Sequence, residues 1–448
     1  TKFPFMKQSL IIVLLLSIMT LSGTDEFPGG VKDACNQQQT RSCEAIKAEI
    51  KKENGRFILY RAGEPYFIKG AVGWGFLDEL TESGANSVRS SYKFLDEAHR
   101  NGLTVLVNLP MAAERDGFDY NDEQAVRDQF MKNKEIVEKY KDHPALLMWA
   151  IGNELDHIPG DKDYNLKVWD AINDIALMIK EIDPYHPVMT VVGFGKLEKL
   201  QDIKKRCPDL DLLGINAYAA LMQVPDWLHT YNWDKPFVVT EWGPSGWWEV
   251  PSTKHGVVIE ETSTEKAGVY QERYEKVILA NPLCIGSYVF LWTTNRQERT
   301  HTWFNMFHDS LKTQTVEVMQ HMWTGQPPAN AAPRISSLTI NGLSALENIE
   351  VAPDGMYTAT VEARDPDNDE LTFEWELLPE PEQFGAYAGH GETKPEPVDG
   401  FIKSMKNATI QFRVPANGAA NYRLFVYIRD GHGNIATANA PFYVHPKY

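Results

Sequence analysis

Two glutamates stand where two apolar runs end, and that placement suggests chemistry. Trp149-Ala-Ile-Gly-Asn153-Glu154 closes one run, and Val239-Thr-Glu241-Trp242-Gly243 closes another. Each carboxylate follows several largely apolar positions, where a buried strand would emerge from a core. A buried carboxylate without a partner is costly, so a structural role alone would not call for two. Two carboxylates facing each other across a cleft are what glycosidic cleavage needs: one protonates the leaving oxygen, the other attacks the anomeric carbon or activates water. The competing reading is a pair of rim carboxylates held in salt bridges. Histidines are scattered without HxxxH-type spacing, so no catalytic metal is expected. No cofactor is expected either.

The elements that must position these carboxylates repeat between residues 66 and 325. Short apolar or β-branched runs cover 66–73, 85–90, 103–110, 146–154, 187–193, 210–218, 236–243 and 284–292. Helix-period stretches separate several of them, notably 122–141 and 163–183, the latter ending at Asp183-Pro184. Strand–helix alternation of this kind predicts an α/β fold, a (β/α)8 TIM barrel, whose active site lies at the C-terminal ends of the strands. An open doubly wound sheet is disfavoured because no Gly-rich loop follows the first run. Residues 55–68 read as a hairpin about Ala62-Gly-Glu-Pro65. Residues 326–333 read as a linker. From 334 to 448 short alternating runs predict an immunoglobulin-like β-sandwich. The barrel is thus expected over 55–325, after a segment at 25–54.

The motifs resemble those of retaining (β/α)8 glycoside hydrolases of the family 2 and family 5 clan. His143-Pro-Ala-Leu-Leu-Met-Trp-Ala-Ile-Gly-Asn153-Glu154 is similar to the clan's fourth-strand signature, and Pro236-Phe-Val-Val-Thr-Glu241-Trp-Gly243 to its seventh. The resemblance implies Glu154 as acid/base, Glu241 as nucleophile, and Asn153 as partner of the sugar 2-hydroxyl. Ala85-Asn-Ser-Val-Arg89 resembles the second-strand segment whose Arg orients the nucleophile and keeps it ionised. Asn216-Ala-Tyr218 resembles the sixth-strand segment whose hydroxyl contacts the nucleophile, and Trp292 matches the sugar-stacking Trp of strand eight. With a leader ending near residue 24 and the barrel beginning at 55, no family 2 N-terminal sandwiches are expected between them. A barrel followed by one β-domain is most similar to family 158, which implies endo-β-1,3-glucan hydrolysis.

Other aromatics are candidates for sugar platforms. Gly243-Pro-Ser-Gly-Trp247-Trp248 is a loop at the expected barrel mouth, and Trp74 and Trp303 lie in segments that should reach it. Each has a competing reading as plain core. Asp365-Pro-Asp-Asn-Asp369 offers oxygen ligands but lacks the spacing of a dedicated calcium loop, so a solvated acidic turn is expected.

Lys plus Arg total 44 against 61 Asp plus Glu, a formal charge of −17. Such a surface repels phosphate backbones, which argues against nucleic acid and favours a neutral polysaccharide or oligosaccharide partner. Met6-Lys7 and the apolar run from Leu10 to Met19 read as a secretory leader ending near residue 24, too short to span a bilayer. The protein is therefore expected to be secreted or periplasmic, without stable membrane insertion after leader removal. In that setting Cys35 and Cys43 can pair, while Cys207 and Cys284 read as buried thiols. The expected protein is a secreted retaining β-glucan hydrolase. A transglycosylase, an exo-β-glycosidase and a silent carbohydrate-binding protein are the alternatives.

Overall fold

The computed structural model describes residues 45–73, 75–158, 163–195, 197–381, 392–398, 400 and 407–446. The expected leader, Cys35, Cys43 and Trp74 lie outside them.

Asn54-Gly55 makes the first turn. Both residues have positive φ, 51° and 83°, and they join β1 (Ala48–Glu53) to β2 (Arg56–Arg61). A two-residue loop of this hand matches the twist of paired strands, and Asn-Gly adopts it at little cost. The hairpin therefore begins upstream of the expected one, inside the segment expected to precede the barrel. The turn after β2 leads only to the two-residue β3 (Glu64–Pro65). Ala48 N donates to Tyr185 O and Phe57 N to Pro282 O, each just ahead of a barrel strand. The hairpin thus closes the N-terminal end of the barrel.

The barrel strands are β4 (Ile68–Val72), β5 (Ser87–Ser90), β6 (Thr104–Leu109), β7 (Leu146–Ile151), β8 (Val188–Gly193), β9 (Leu212–Asn216), β10 (Phe237–Trp242) and β11 (Cys284–Val289). They close in sequence order, all parallel. Every residue of β7 and β11 is buried. Strands covered on both faces read as continuous apolar runs, which is why they stand out in the sequence. Around them run α1 (Leu77–Glu82), α2 (Leu95–Arg100), α3 (Glu123–Tyr140), α4 (Lys167–Ile182), α5 (Lys199–Arg206), α6 (Val224–Thr230), α7 (Ser263–Arg273) and α8 (Gln314–Thr324). The Asp122 carboxylate caps α3 by accepting from Gln124 N and Ala125 N, and Thr262 with Glu265 forms a capping box on α7, satisfying amides that helix starts leave open. Cys207 and Cys284 are free and buried. No helix among the described residues is long and apolar enough to cross a membrane.

A short pair, β12 (Phe307–His308) and β13 (Leu311–Lys312), precedes α8. The remainder forms two sheets: β14 (Arg334–Ile340), β16 (Met356–Arg364) and β18 (Thr409–Arg413) in one; β15 (Glu350–Val351), β20 (Ile435–Val444), β19 (Ala420–Arg429) and β17 (Thr372–Pro379) in the other. Leu338, Val361, Phe412, Trp375, Val426 and Phe442 belong to the core the sheets share. On β19 the alternate residues Phe425 and Tyr427 face the opposite way and meet Leu311 and His301 of the barrel side. The four-stranded sheet is therefore covered on both faces, and barrel and sheets form one compact unit.

Candidate active site

The C-terminal ends of the strands bring Arg89, Asn153, Glu154, Asn216, Tyr218 and Glu241 together. Arg89, on β5, is almost fully buried and aims its guanidinium across the barrel. Its Nη1 donates to Glu241 Oε1 at 2.7 Å and to Thr240 O at 3.1 Å; Nη2 donates to Asn153 Oδ1 at 2.6 Å; Nε donates to Asn108 Oδ1 at 3.2 Å. A fixed fork of donors suits this multiple grip in a way an ammonium would not. Glu241 is turned into the mouth by a register shift in β10 between Val239 and Glu241, the kind of irregularity that re-aims a side chain. Its other oxygen accepts from Tyr218 Oη at 3.2 Å.

Glu154 follows β7 with φ 47°, a left-handed conformation that a non-glycine residue rarely takes. The surroundings hold it there. Glu154 N donates to Val191 O at 2.9 Å, while Arg115 donates to Glu154 O and, at 3.2 Å, to Asn153 O. Gly193, at the end of β8, leaves room for the carboxyl: a Cβ there would meet Glu154 Oε1 at 3.1 Å. The enclosing protein, and secondarily the charge of Glu241, push the Glu154 carboxyl up to about 7, with partial relief from the Asn216 amide. Asn216 Nδ2 donates to Glu154 Oε1 at 2.8 Å and to Asn153 Oδ1 at 3.1 Å. The orientation of that amide is set because Thr240 Oγ1 donates to its Oδ1 at 2.8 Å. A carboxyl raised towards neutrality beside one gripped by a guanidinium is an arrangement that can pair proton donation with nucleophilic attack.

Residues 83–279 match the family described as Glycosyl hydrolases family 2, TIM barrel domain. The matched span contains all six residues above. Over that span the barrel resembles the TIM-barrel domain of family 2 glycosyl hydrolases. The chain is similar to the β-glucuronidase of Streptococcus agalactiae serotype V, 24% identical over 261 residues, covering 46% of this chain and 42% of that protein. It is also similar to the β-glucuronidase of Paenibacillus borealis, 25% identical over 237 residues, covering 43% and 37%. The chain thus spans less than half the length of these relatives. The crystal structure of a Bacteroides uniformis β-glucuronidase shares the fold with a TM-score of 0.50 at 14% identity, covering 89% of this chain and 48% of that one.

The aromatic candidates at the barrel mouth separate. Trp248 is 49% exposed and stands edge-on to Tyr218 at 5.3 Å between ring centroids. Trp247 lies edge-on to Trp248, with the Arg299 guanidinium 3.9 Å over its ring. Trp292 corrects the expectation of a sugar platform. Its ring is 1% exposed, its Nε1 donates to Phe76 O at 3.1 Å, and it packs on Phe307 and Trp323. Trp303 is equally enclosed, donating to Ser245 O. The segment after β11 folds back on itself, Leu291 N donating to Phe304 O at 2.9 Å and Phe307 N to Thr293 O at 3.2 Å.

Sequence reasoning missed Asn108, Arg115, Gly193, Thr240 and Glu298. Asn108 had a signal, a polar residue near the end of an apolar run; Arg115, in a single 3-10 turn between β6 and α3, had none. Glu298 is buried beyond β11, and its burial pushes the carboxyl up to about 7, against the opposing charge of Arg296. Its Oε1 accepts from Trp247 Nε1 at 3.4 Å, and Arg296 Nη2 lies 3.3 Å from Oε2. Among the described residues the cluster that could hold a metal is Asp365, Asp369 and Asp430, in the C-terminal sheets rather than the barrel mouth.

The segment after β11 is also tied to those sheets. Glu260 accepts from Thr300 Oγ1 at 2.6 Å, Thr302 Oγ1 at 2.9 Å, Lys266 Nζ at 2.5 Å and Asn439 Nδ2 of β20 at 2.7 Å. Burial alone would push its carboxyl up, but the Lys266 charge and these bonds hold it below the usual value. Phe304 of the same segment leans on Tyr218 at 5.3 Å. Asn439 therefore reaches Tyr218, and through it Glu241, by a continuous series of contacts.

Proposed function

We propose that this protein is a retaining β-glycosidase in which Glu154 is the acid/base and Glu241 the nucleophile. The observation that carries the reading is the contrast between their surroundings: enclosure pushes Glu154 up to about 7, while Arg89 and Tyr218 both donate to Glu241. In the first step Glu241 attacks the anomeric carbon while Glu154 gives its proton to the leaving oxygen. In the second, Glu154 as carboxylate takes a proton from water, whose oxygen displaces Glu241. Asn153 Oδ1 is committed to Arg89 and Asn216, so its Nδ2 is the face turned to a sugar hydroxyl. A sugar acceptor in place of water would give transglycosylation by the same chemistry.

For the substrate we favour a neutral β-glucan attacked within the chain, a β-1,3-glucan by the family 158 likeness. That likeness rests on the order of parts, a barrel and then two sheets that we read as immunoglobulin-like. The exposed Trp248 face and the −17 charge support neutral polymer over polyanion. The leader-like residues 1–24 support export. A second reading is β-glucuronide cleavage, favoured by the curated β-glucuronidase relatives.

Early products followed by proton NMR test the mechanism: retained anomeric configuration is expected, and net inversion would refute it. Laminarin and an aryl β-glucuronide, assayed side by side, separate the substrates. An oligosaccharide ladder supports the glucan reading; turnover of the glucuronide alone replaces it with the second.

A further inference from the structure

Three carboxylates from two separate turns converge in the C-terminal sheets. Asp365 and Asp369 lie between β16 and β17, and Asp430 lies between β19 and β20. The pairing of Thr372 with Arg429 brings the two turns side by side. One carboxylate oxygen from each residue falls within 4.8 Å of the others. The turn is solvated, as expected, at Asp367 and Asn368, but Asp365 is only 9% exposed and Asp430, from the other turn, 3%.

Asp365 Oδ1 accepts from Asp367 N at 2.8 Å and Asp369 N at 3.1 Å. Its Oδ2 is buried and has no hydrogen-bond partner among the described residues. An orphaned buried carboxylate oxygen is costly in any setting, and two neighbouring carboxylates raise that cost. No lysine or arginine among the described residues pairs with any of the three. His432 Nε2 approaches Asp369 Oδ1 at 3.4 Å, from a side chain 59% exposed. The remaining partners are amides that orient the carboxylates without neutralising them. Asn434 Nδ2 donates to Asp430 Oδ2 at 2.7 Å, and Asn330 Nδ2 to Asp369 Oδ2 at 2.6 Å.

We propose that Asp365, Asp369 and Asp430 bind one calcium ion, with Asp365 Oδ2 as a direct ligand. The donor set is all oxygen and comes from turns, which suits a hard cation of adaptable coordination better than zinc, which prefers nitrogen and sulfur, or magnesium, which demands a near-ideal octahedron. Backbone carbonyls and water complete the shell. The ion braces the junction with the barrel, because the linker is held by the same groups. Asn330 Oδ1 accepts from Asn434 Nδ2 at 2.7 Å, and Ala331 N donates to Asp367 Oδ2 at 2.7 Å.

The test uses the whole protein, stripped with chelator and titrated with calcium chloride by calorimetry. One calcium per chain is expected, with a rise in the unfolding temperature of about 3 °C or more at roughly 1 mM calcium, and weaker binding of magnesium. Asp365→Asn and Asp369→Asn should each weaken calcium binding at least about 10-fold. Asp369 is only half-buried, so its variant decides the matter where Asp365→Asn fails to fold. Absence of calcium binding at 1 mM, or unchanged affinity in Asp369→Asn, overturns the proposal; equal affinity for magnesium overturns the calcium preference.

Discussion

Asn216 Nδ2 donates to Glu154 Oε1 at 2.8 Å, and the backbone of Asn216 pairs with Glu241 on the adjacent strand. One residue thus touches the proposed acid and fixes the strand that carries the proposed nucleophile. Its bond favours the charged form of Glu154, against enclosure and the Glu241 charge, which favour the neutral form.

The pH profile follows from this balance. Glu154 must hold a proton to donate it, so kcat/KM should fall as pH rises through about 7. Asn216→Ala removes a bond that stabilises the carboxylate, so that limb should move to higher pH. The folded carboxyl is raised above 4.5, so its contribution to stability is present below 4.5 and lost as pH rises through about 7. Glu154→Gln cannot ionise and should gain on the parent protein across that window. Unfolding temperatures at several pH values check the second point; a limb unmoved in Asn216→Ala refutes the first.

The two glutamates should fail differently. Glu241→Ala should abolish turnover of every substrate. Glu154→Ala should lose about 10²–10⁴-fold on substrates with poor leaving groups, yet retain glycosylation by activated aryl glycosides. Azide should rescue its second step with retained configuration. Azide rescue of Glu241→Ala with retained configuration would reverse the roles.

Arg89 holds Asn108, Asn153 and the Thr240 backbone as well as the proposed nucleophile. Arg89→Ala leaves a carboxylate and two amides without their donor, which should cost roughly 3–5 kcal/mol of stability along with activity. Arg89→Lys keeps the charge and loses the fork. It should stay folded, as judged by calorimetry, with kcat down about 10-fold or more; an unchanged kcat would mean that charge alone matters.

Trp248 and Trp292 should part company. Trp248→Ala should raise KM for oligosaccharides by about 2–10-fold, the worth of one aromatic contact, and leave short aryl glycosides nearly untouched. Trp292→Ala should instead cost about 3–5 kcal/mol of stability. Melting curves and KM on both substrate types distinguish them.

Asn439→Asp should lower both stability and kcat, because it sets a second carboxylate against Glu260 in the network beneath Thr300 and Phe304. A fall in melting temperature with unchanged kcat would show that the sheets brace the barrel without reaching its site.

The sequence by itself determined the barrel strands and its two end carboxylates. A parallel strand covered on both faces must be apolar throughout, so Glu154 and Glu241 stand out where β7 and β10 meet the mouth. It determined the first hairpin too, through Asn54-Gly55, although Ala62–Pro65 drew attention away from it. Only the tertiary structure decided which way an aromatic faces. Trp248 and Trp292 both follow strand ends, and nothing local says that Phe76 and Phe307 will enclose one while solvent meets the other. Only the tertiary structure brought Arg115 to the backbone of Glu154, Asn439 to Glu260, and Asp430 to Asp365. Those groups are far apart along the chain, and their meeting depends on strand pairing and on the packing of sheet against barrel, which no local pattern encodes.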